Sequence, residues 1–90
     1  MKRARIVVSG LVQGVSFRAW TLRLAQEKRI TGWVANRTDG TVEAVVEGSR
    51  SAVADFIESC RQGPRSARVQ HVDISWEAAS GKFKGFQVLY

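Results

Sequence analysis

The spacing of apolar residues along this chain alternates between the period of a strand and the period of a helix. Two amphipathic helical segments separate shorter apolar runs. The first run is apolar on both faces in its middle, which is typical of a central strand of a sheet. In chain order, the pattern predicts a strand over residues 4–12, a helix over 17–28, strands over 31–37 and 41–47, a second helix from 49 to about 61, a strand over 69–76 and a short last strand over 86–90.

Turn-forming residues mark the ends of these segments. The pair Asp39-Gly40 between two strands predicts a hairpin. A serine is expected to cap the second helix, and the Gly-Pro pair at 63–64 to end it. The order β-α-β-β-α-β, with right-handed crossovers, places both helices on one face of an antiparallel or mixed sheet. We therefore predict an α+β fold, a ferredoxin-like α/β sandwich that forms a single domain over residues 1–90, with a short extra strand at its end.

Length and charge narrow the class of protein. Ninety residues, 44% of them hydrophobic, suffice for one small core. The net charge of +6 is compatible with nucleic-acid binding or with the steering of small anions towards a site. The basic residues are scattered rather than collected in one tract, so ordinary surface solubility explains most of them. No apolar run approaches the length of a membrane span. The basic start of the chain leads into a strand-like segment rather than a signal-peptide core. We expect a cytoplasmic monomer with no membrane partner.

The single cysteine and the single histidine exclude an internal disulfide and a metal site of Cys/His type. We therefore expect no cofactor. Cys60 falls in helical register with Val53, Phe56 and Ile57, which indicates a buried, small hydrophobic side chain rather than a nucleophile.

The segment between the first strand and the first helix is the first candidate site. It reads GLVQGVSFR over residues 10–18. A strand, a glycine-containing loop and a helix N-terminus bring free backbone N–H groups and the positive end of the helix dipole to one point, as in phosphate sites. Arg18 adds a permanent charge and a planar fork of donors. Taken alone, the segment is equally compatible with an ordinary turn that carries a surface arginine.

A second segment, GWVANRTDGTVEAVVEG over residues 32–48, favours the phosphate site over the ordinary turn. Together the two segments resemble the acylphosphatase family, whose signatures have the forms G-x-V-Q-G-V-x-F-R and G-W/F-V-x-N-x-x-D-G-x-V-x-A-x-x-E-G. The Gly-Pro pair, the strand over 69–76 and the ending from Phe86 to Tyr90 are also similar to the family. The resemblance therefore spans nearly the whole chain.

This resemblance implies a ferredoxin-like fold and the hydrolysis of acyl phosphates to a carboxylate and inorganic phosphate. Arg18 would correspond to the catalytic arginine that binds the phosphoryl group, and Asn36 to the asparagine that orients the attacking water. The partners implied are a small-molecule acyl phosphate and inorganic phosphate, which is the product and a competitive inhibitor. The substrate-binding cradle would consist of Gln13, Gly14, Val15, Ser16, Phe17 and Arg18, with Gly10, Thr38 and Thr41 in supporting roles.

The chemistry of an acyl phosphate suits these residue types. The bond is an activated anhydride, so fixed positive charge, N–H donors around the phosphoryl oxygens and a water held in line contribute most. Asn36 is neutral and can hold water without cancelling the charge of Arg18. Neither segment contains an evident general base, because Asp39 is explained by the turn and His71 lies on a strand that is remote in sequence. The resemblance implies that the substrate's own phosphate accepts the proton from the water.

Two other functions stay open at this stage. An RNA-recognition module of this architecture stacks bases on aromatic residues of its first and third strands. Those strands contain no aromatic residue here, and the third carries Glu43 and Glu47, which we expect on a solvated face. The other alternative is an anion-binding domain without turnover, against which Arg18 and Asn36 argue. Gly10, Thr38 and Thr41 are also explained by packing and by hairpin closure, and the tryptophans by core or edge packing.

Overall fold

A mixed sheet of five strands carries two helices on one face. The structure is a computed structural model that describes all 90 residues. Its elements are β1 (Lys2–Leu11), α1 (Phe17–Lys28), β2 (Thr31–Asn36), β3 (Val42–Gly48), α2 (Arg50–Gln62), β4 (Arg68–Glu77) and β5 (Phe86–Leu89). Every predicted element is present in the predicted order, with differences only at the ends. Neither helix has the length and apolar character needed to cross a membrane.

The strands are arranged in the order β4-β1-β3-β2-β5. β1 pairs antiparallel with both β3 and β4, which confirms the predicted interior position of this strand. β2 pairs antiparallel with β3 and parallel with the short strand β5. Since β1 and β2 both run opposite to β3, they point in the same direction. The segments that follow β1 and β2 therefore emerge at the same end of the sheet.

The core lies between the helices and the sheet face that they cover. On β1, the alternating residues Ala4, Ile6 and Val8 are buried. α1 buries Phe17, Thr21 and Ala25, while the partly buried Trp20 and Leu24 pack against the core. α2 contributes a longer buried stripe, which consists of Val53, Phe56, Ile57 and Cys60.

The two ends of α2 and the burial of Cys60 agree with the predictions from the sequence. The side chain of Ser49 caps the helix by accepting a hydrogen bond of 3.1 Å from the N–H of Ala52. At the other end, the N–H of Gly63 donates to the carbonyl of Ser59. Cys60 is 1% exposed, and this burial raises the pKa of its thiol to about 12. The expectation that Cys60 is a buried packing residue is confirmed.

One expectation for the uncovered face of the sheet was wrong. Glu47 was expected in solvent, but it is only 1% exposed. The segment after β4 folds over this end of the sheet, so the backbone N–H groups of Ser80 and Gly81 donate to the carboxylate at 2.8 and 2.9 Å. Arg3 also donates to it, at 2.7 Å. Strand alternation reports which face a residue occupies, but not whether a distant segment covers that face.

Candidate active site

A cavity of about 290 Å³ lies between the N-terminus of α1 and the end of β2. Arg18 comes from the start of α1 and Asn36 from the last position of β2, and both line the cavity. They meet because β1 and β2 run in the same direction, which brings the β1–α1 loop and the end of β2 to one edge of the sheet. The complete lining is Val12, Gly14, Ser16, Phe17, Arg18, Ala19, Asn36 and Tyr90.

A second cavity, of about 260 Å³, lies at the opposite end of β2. It is lined by residues of the β4–β5 segment together with Gly32 and Trp33. None of the residues predicted for the site lines this second cavity, whereas five of them, Gly14, Ser16, Phe17, Arg18 and Asn36, line the first.

The loop between β1 and α1 has an unusual backbone. Gly14 has φ of 73°, and Ser16, directly before the helix, has φ of 62° and ψ of 25°. For a residue with a Cβ atom, this left-handed conformation costs about 1–2 kcal/mol, so surrounding contacts must hold it. When left-handed residues alternate with residues of negative φ, as Gly14 and Ser16 do around Val15, successive backbone N–H groups can point towards a common concave side, which is an anion-binding arrangement. The backbone N–H groups of residues 13–16 donate to no backbone carbonyl of the protein.

The start of α1 also lacks the usual neutralising groups. The side chain of Ser16 makes no capping hydrogen bond, and the first turn contains no acidic residue. The positive end of the helix dipole and the N–H groups of the first turn are therefore available to an anion in the cavity.

Two side chains attach this loop to neighbouring segments. The side-chain amide of Gln13 donates to the carbonyls of Arg37 and Thr41, at 2.7 and 2.9 Å, and so joins the loop to the β2–β3 hairpin. The hydroxyl of Ser66, between α2 and β4, donates to the carbonyl of Val15 at 2.7 Å. Neither Gln13 nor Val15 lines the cavity. Within the predicted cradle, these two residues therefore face the supporting structure, while the other members face the cavity.

Arg18 is held by the end of the chain. Its Nη1 donates to the carbonyl of Leu89 at 2.9 Å, and its guanidinium lies 4.7 Å from the centre of the Tyr90 ring. No carboxylate pairs with Arg18, since none of the ion pairs in the structure includes it. Its full positive charge and its remaining donors are therefore available at the cavity.

The three residues expected to support the site lie outside the cavity lining. Gly10 has φ of 125° at a bulge of β1, and a Cβ atom there would lie 2.2 Å from the carbonyl oxygen of Arg68. Thr41 donates its hydroxyl to Asp39 at 2.6 Å and its N–H to the same oxygen at 3.0 Å. Thr38 is exposed in the same turn. Gly10 thus permits a close strand approach, and Thr41 closes the hairpin turn.

Three titratable residues outside the cavity, Asp39, His71 and Arg5, are engaged by other side chains. The hydroxyl and then the N–H of Thr41 lower the pKa of Asp39 by donating to its carboxylate. His71 lies on β4 and pairs with Asp73 at 2.9 Å. On the uncovered sheet face, Arg5 pairs with Glu43 and Glu77. Arg3 and Arg5 of β1 are therefore neutralised by glutamates on this face of the sheet.

Three contacts of the site could not be found in the motifs. The carbonyl of Leu89, the ring of Tyr90 and the hydroxyl of Ser66 reach the loop from segments that are distant in the chain. The similarity of the ending Phe86 to Tyr90 to the family was a signal for the first two, whereas the sequence contains no signal for Ser66.

Comparisons with known proteins match this chain to acylphosphatases along nearly its whole length. The family profile described as Acylphosphatase matches residues 4–88. An acylphosphatase of Roseiflexus sp. (strain RS-1) is 48% identical over 90 residues, which cover 100% of this chain and 97% of the relative. An acylphosphatase of Pyrobaculum aerophilum is 47% identical over 90 residues and covers 99% and 95%. The crystal structure of acylphosphatase from Bacillus subtilis superimposes with a TM-score of 0.96 at 33% identity and covers 100% of both chains.

Proposed function

This chain belongs to the acylphosphatase family, and we propose how its residues carry out the hydrolysis of an acyl phosphate to a carboxylate and inorganic phosphate. Arg18 binds the phosphoryl group, together with the backbone of the loop over residues 13–17 and the N-terminus of α1. Asn36 orients the attacking water from the other side of the cavity. The observation that carries this assignment is the shared cavity, which Arg18 and Asn36 line from different elements.

The charges of the cavity suit a phosphoryl group. Arg18 is the only charged side chain of the lining, and it is not paired with a carboxylate. Its planar donors match the oxygens of a phosphoryl group, and the donors of the loop act in a fixed geometry that needs no reorganisation during the reaction. Asn36 offers an acceptor and two donors in one plane, so it can hold a water without introducing negative charge beside Arg18.

The reaction is one in-line displacement. The water oxygen attacks phosphorus, and the bond between phosphorus and the bridging oxygen breaks, with its electron pair leaving on the carboxylate. No cavity-lining residue is an aspartate, a glutamate or a histidine. The proton of the water is therefore transferred to a phosphoryl oxygen of the substrate, so that the products are a carboxylate and protonated inorganic phosphate.

The proposal has three further parts. Inorganic phosphate occupies the donors that bind the substrate, which makes it a competitive inhibitor. The chain works as a monomer and a single domain, because one copy supplies every lining residue of the cavity. It works in the cytoplasm, in keeping with its single free, buried cysteine.

Two substitutions test the roles of the side chains, with benzoyl phosphate as substrate. Arg18→Ala is expected to lower kcat/KM by about 10²–10³-fold, as loss of one preorganised donor does, and to weaken inhibition by inorganic phosphate. Asn36→Ala is expected to lower kcat while phosphate inhibition stays near the wild-type value. Arg23→Ala is the matched control, because Arg23 lies exposed on the same helix and outside the cavity. Unchanged phosphate inhibition in Arg18→Ala, with wild-type inhibition in the control, would contradict the role of Arg18.

A further inference from the structure

Ser66 lies outside both motifs and contacts the middle of the β1–α1 loop. It sits in a tight turn between α2 and β4, where the N–H of Ala67 donates to the carbonyl of Pro64 at 3.0 Å. From this turn, the Ser66 hydroxyl donates to the carbonyl oxygen of Val15 at 2.7 Å, across 51 residues of sequence. The hydrogen bond thus attaches the β1–α1 loop to a part of the fold that supplies no residue to the cavity lining.

This contact fixes more than one atom, because the peptide unit is planar. All peptide bonds of the chain are trans, so the carbonyl of Val15 and the N–H of Ser16 point in opposite directions. With the carbonyl bound to Ser66 on the outside of the loop, the N–H of Ser16 is directed to the other side. Ser16 itself lines the cavity.

The backbone conformation of Ser16 is strained, so this peptide would relax if no contact held it. Ser16 has φ of 62°, which a residue with a Cβ atom rarely adopts. Rotation of the peptide plane between Val15 and Ser16 would bring φ of Ser16 to a negative, relaxed value. The same rotation would remove the N–H of Ser16 from the cavity and turn the carbonyl of Val15, an acceptor, towards the phosphoryl oxygens.

We propose that Ser66 is a positioning residue, whose hydroxyl holds the peptide between Val15 and Ser16 in the orientation that binds the phosphoryl group. The proposal rests on the proposed function, since it assumes that this loop binds phosphate. Ser66 acts through Val15 and Ser16 and does not itself touch the substrate.

A pair of substitutions of equal shape tests the hydroxyl. Ser66→Thr keeps the donor, whereas Ser66→Val has the same shape without it. We expect Ser66→Val and Ser66→Ala to weaken phosphate binding and to lower kcat/KM with benzoyl phosphate by about 2- to 10-fold, the effect of one hydrogen bond. Ser66→Thr is expected to restore both. Ser75→Ala is the control, because Ser75 is exposed on β4 and lies far along the chain from the loop.

The NMR resonance of the Ser16 backbone amide provides the decisive test. The ¹⁵N–¹H resonance of Ser16 is followed by NMR during titration with inorganic phosphate, at a temperature well below the measured thermal midpoint of every variant, so that each is folded. We expect a large shift of the Ser16 amide in the wild type and in Ser66→Thr, and a much smaller one in Ser66→Val. Equal phosphate affinity and equal Ser16 shifts in Ser66→Val and the wild type overturn the positioning role. If phosphate leaves the loop resonances of the wild type unmoved, the proposed function itself fails, and the role of Ser66 fails with it.

Discussion

Arg3 donates a hydrogen bond of 2.7 Å to the carboxylate of Glu47, which lies buried at the end of the sheet opposite to the cavity. The pairing joins neighbouring strands, because Arg3 and Glu47 face each other across the β1–β3 ladder. The N–H groups of Ser80 and Gly81 complete the coordination of the carboxylate. Glu47 thereby fixes the segment that precedes β5. The last residue of β5 is Leu89, whose carbonyl accepts the hydrogen bond from Arg18.

This carboxylate makes folding stability dependent on pH. Burial alone would raise the pKa of Glu47, but the hydrogen bonds from Ser80, Gly81 and Arg3 outweigh it and lower that pKa from 4.5 to about 2. A depressed pKa in the folded state contributes stability that is present above the unfolded value and is lost as the pH falls. The contribution of Glu47, of the order of 3 kcal/mol, should therefore disappear between about pH 4.5 and pH 2.

Glu47→Gln tests this contribution by urea unfolding at a series of pH values. We expect the variant to be less stable than the wild type at pH 7, and the difference to narrow steadily in acid. Glu58→Gln is the control, because Glu58 is exposed and forms only a surface pair with Arg61, worth about 0–1 kcal/mol. A stability difference for Glu47→Gln that stays constant through the acid range would show that its charge is not responsible.

Substitution by alanine is expected to affect stability and activity differently at Gly10 and at Gly14. At Gly10, a Cβ atom would lie 2.2 Å from the carbonyl oxygen of Arg68, so Gly10→Ala must separate β1 from β4. At Gly14, no atom lies within 4 Å of the added Cβ, so the loss of stability is limited to the positive φ, about 1–2 kcal/mol. The new methyl group of Gly14→Ala stands beside the cavity that Gly14 lines.

Thermal unfolding and kcat/KM separate the two outcomes. We expect Gly10→Ala to lose several degrees more of thermal midpoint than Gly14→Ala, and Gly14→Ala to lose more activity at a temperature where both are folded. The opposite ranking of stabilities would contradict the assignment of Gly10 to strand packing.

The side chain of Gln13 is expected to hold the two halves of the site in register. Its amide bridges to the carbonyls of Arg37 and Thr41, directly after the strand that ends in Asn36. Gln13→Ala removes both hydrogen bonds, and we expect about a 10-fold loss of kcat, with a smaller loss of phosphate affinity. Most of the phosphate affinity is retained because Arg18 and the N-terminus of α1 are unaffected.

Steady-state kinetics with phosphate as inhibitor measure that split between kcat and affinity. Gln70→Ala, at an exposed position of β4, is the matched control. If Gln13→Ala weakened phosphate binding as strongly as it lowered kcat, its role would lie in the loop alone and not in the relation between loop and hairpin.

The fold followed from the sequence because its signals are local. Short apolar runs identified the strands, and the Gly-Pro pair and the Asp39-Gly40 turn identified two of the connections. The meeting of Arg18 and Asn36 at one edge followed from the topology, because β1 and β2 run in the same direction.

The remaining contacts depend on packing between distant segments. The sequence predicts a solvated strand residue at Glu47, because no residue near it in the chain indicates that residues 80 and 81 cover it. Arg18 likewise reads as a free side chain, although its partner is the carbonyl of Leu89, 71 residues away. A backbone carbonyl has no residue type, so no sequence pattern can identify such a partner.

The pH dependence of turnover tests the proton transfer. The side chains that line the cavity include no carboxylate and no imidazole, and Asp39 is held as an ionised group in its turn. We therefore expect kcat to stay level between about pH 6 and 8, where a catalytic imidazole would titrate. His71→Gln and Asp39→Asn should both leave the form of that curve unchanged, although Asp39→Asn weakens the hairpin turn.

The measurement needs kcat at saturating benzoyl phosphate, because kcat reports the ionisations of the bound complex. A protein group that accepted the proton would produce an inflection, and its replacement would remove that inflection. An inflection near neutral pH that disappears in His71→Gln would therefore place the base on the enzyme and contradict transfer to the substrate phosphate. A level curve in all three proteins, with Arg18→Ala slow at every pH, is the result that the cavity predicts, because the charge of a guanidinium does not change in this range.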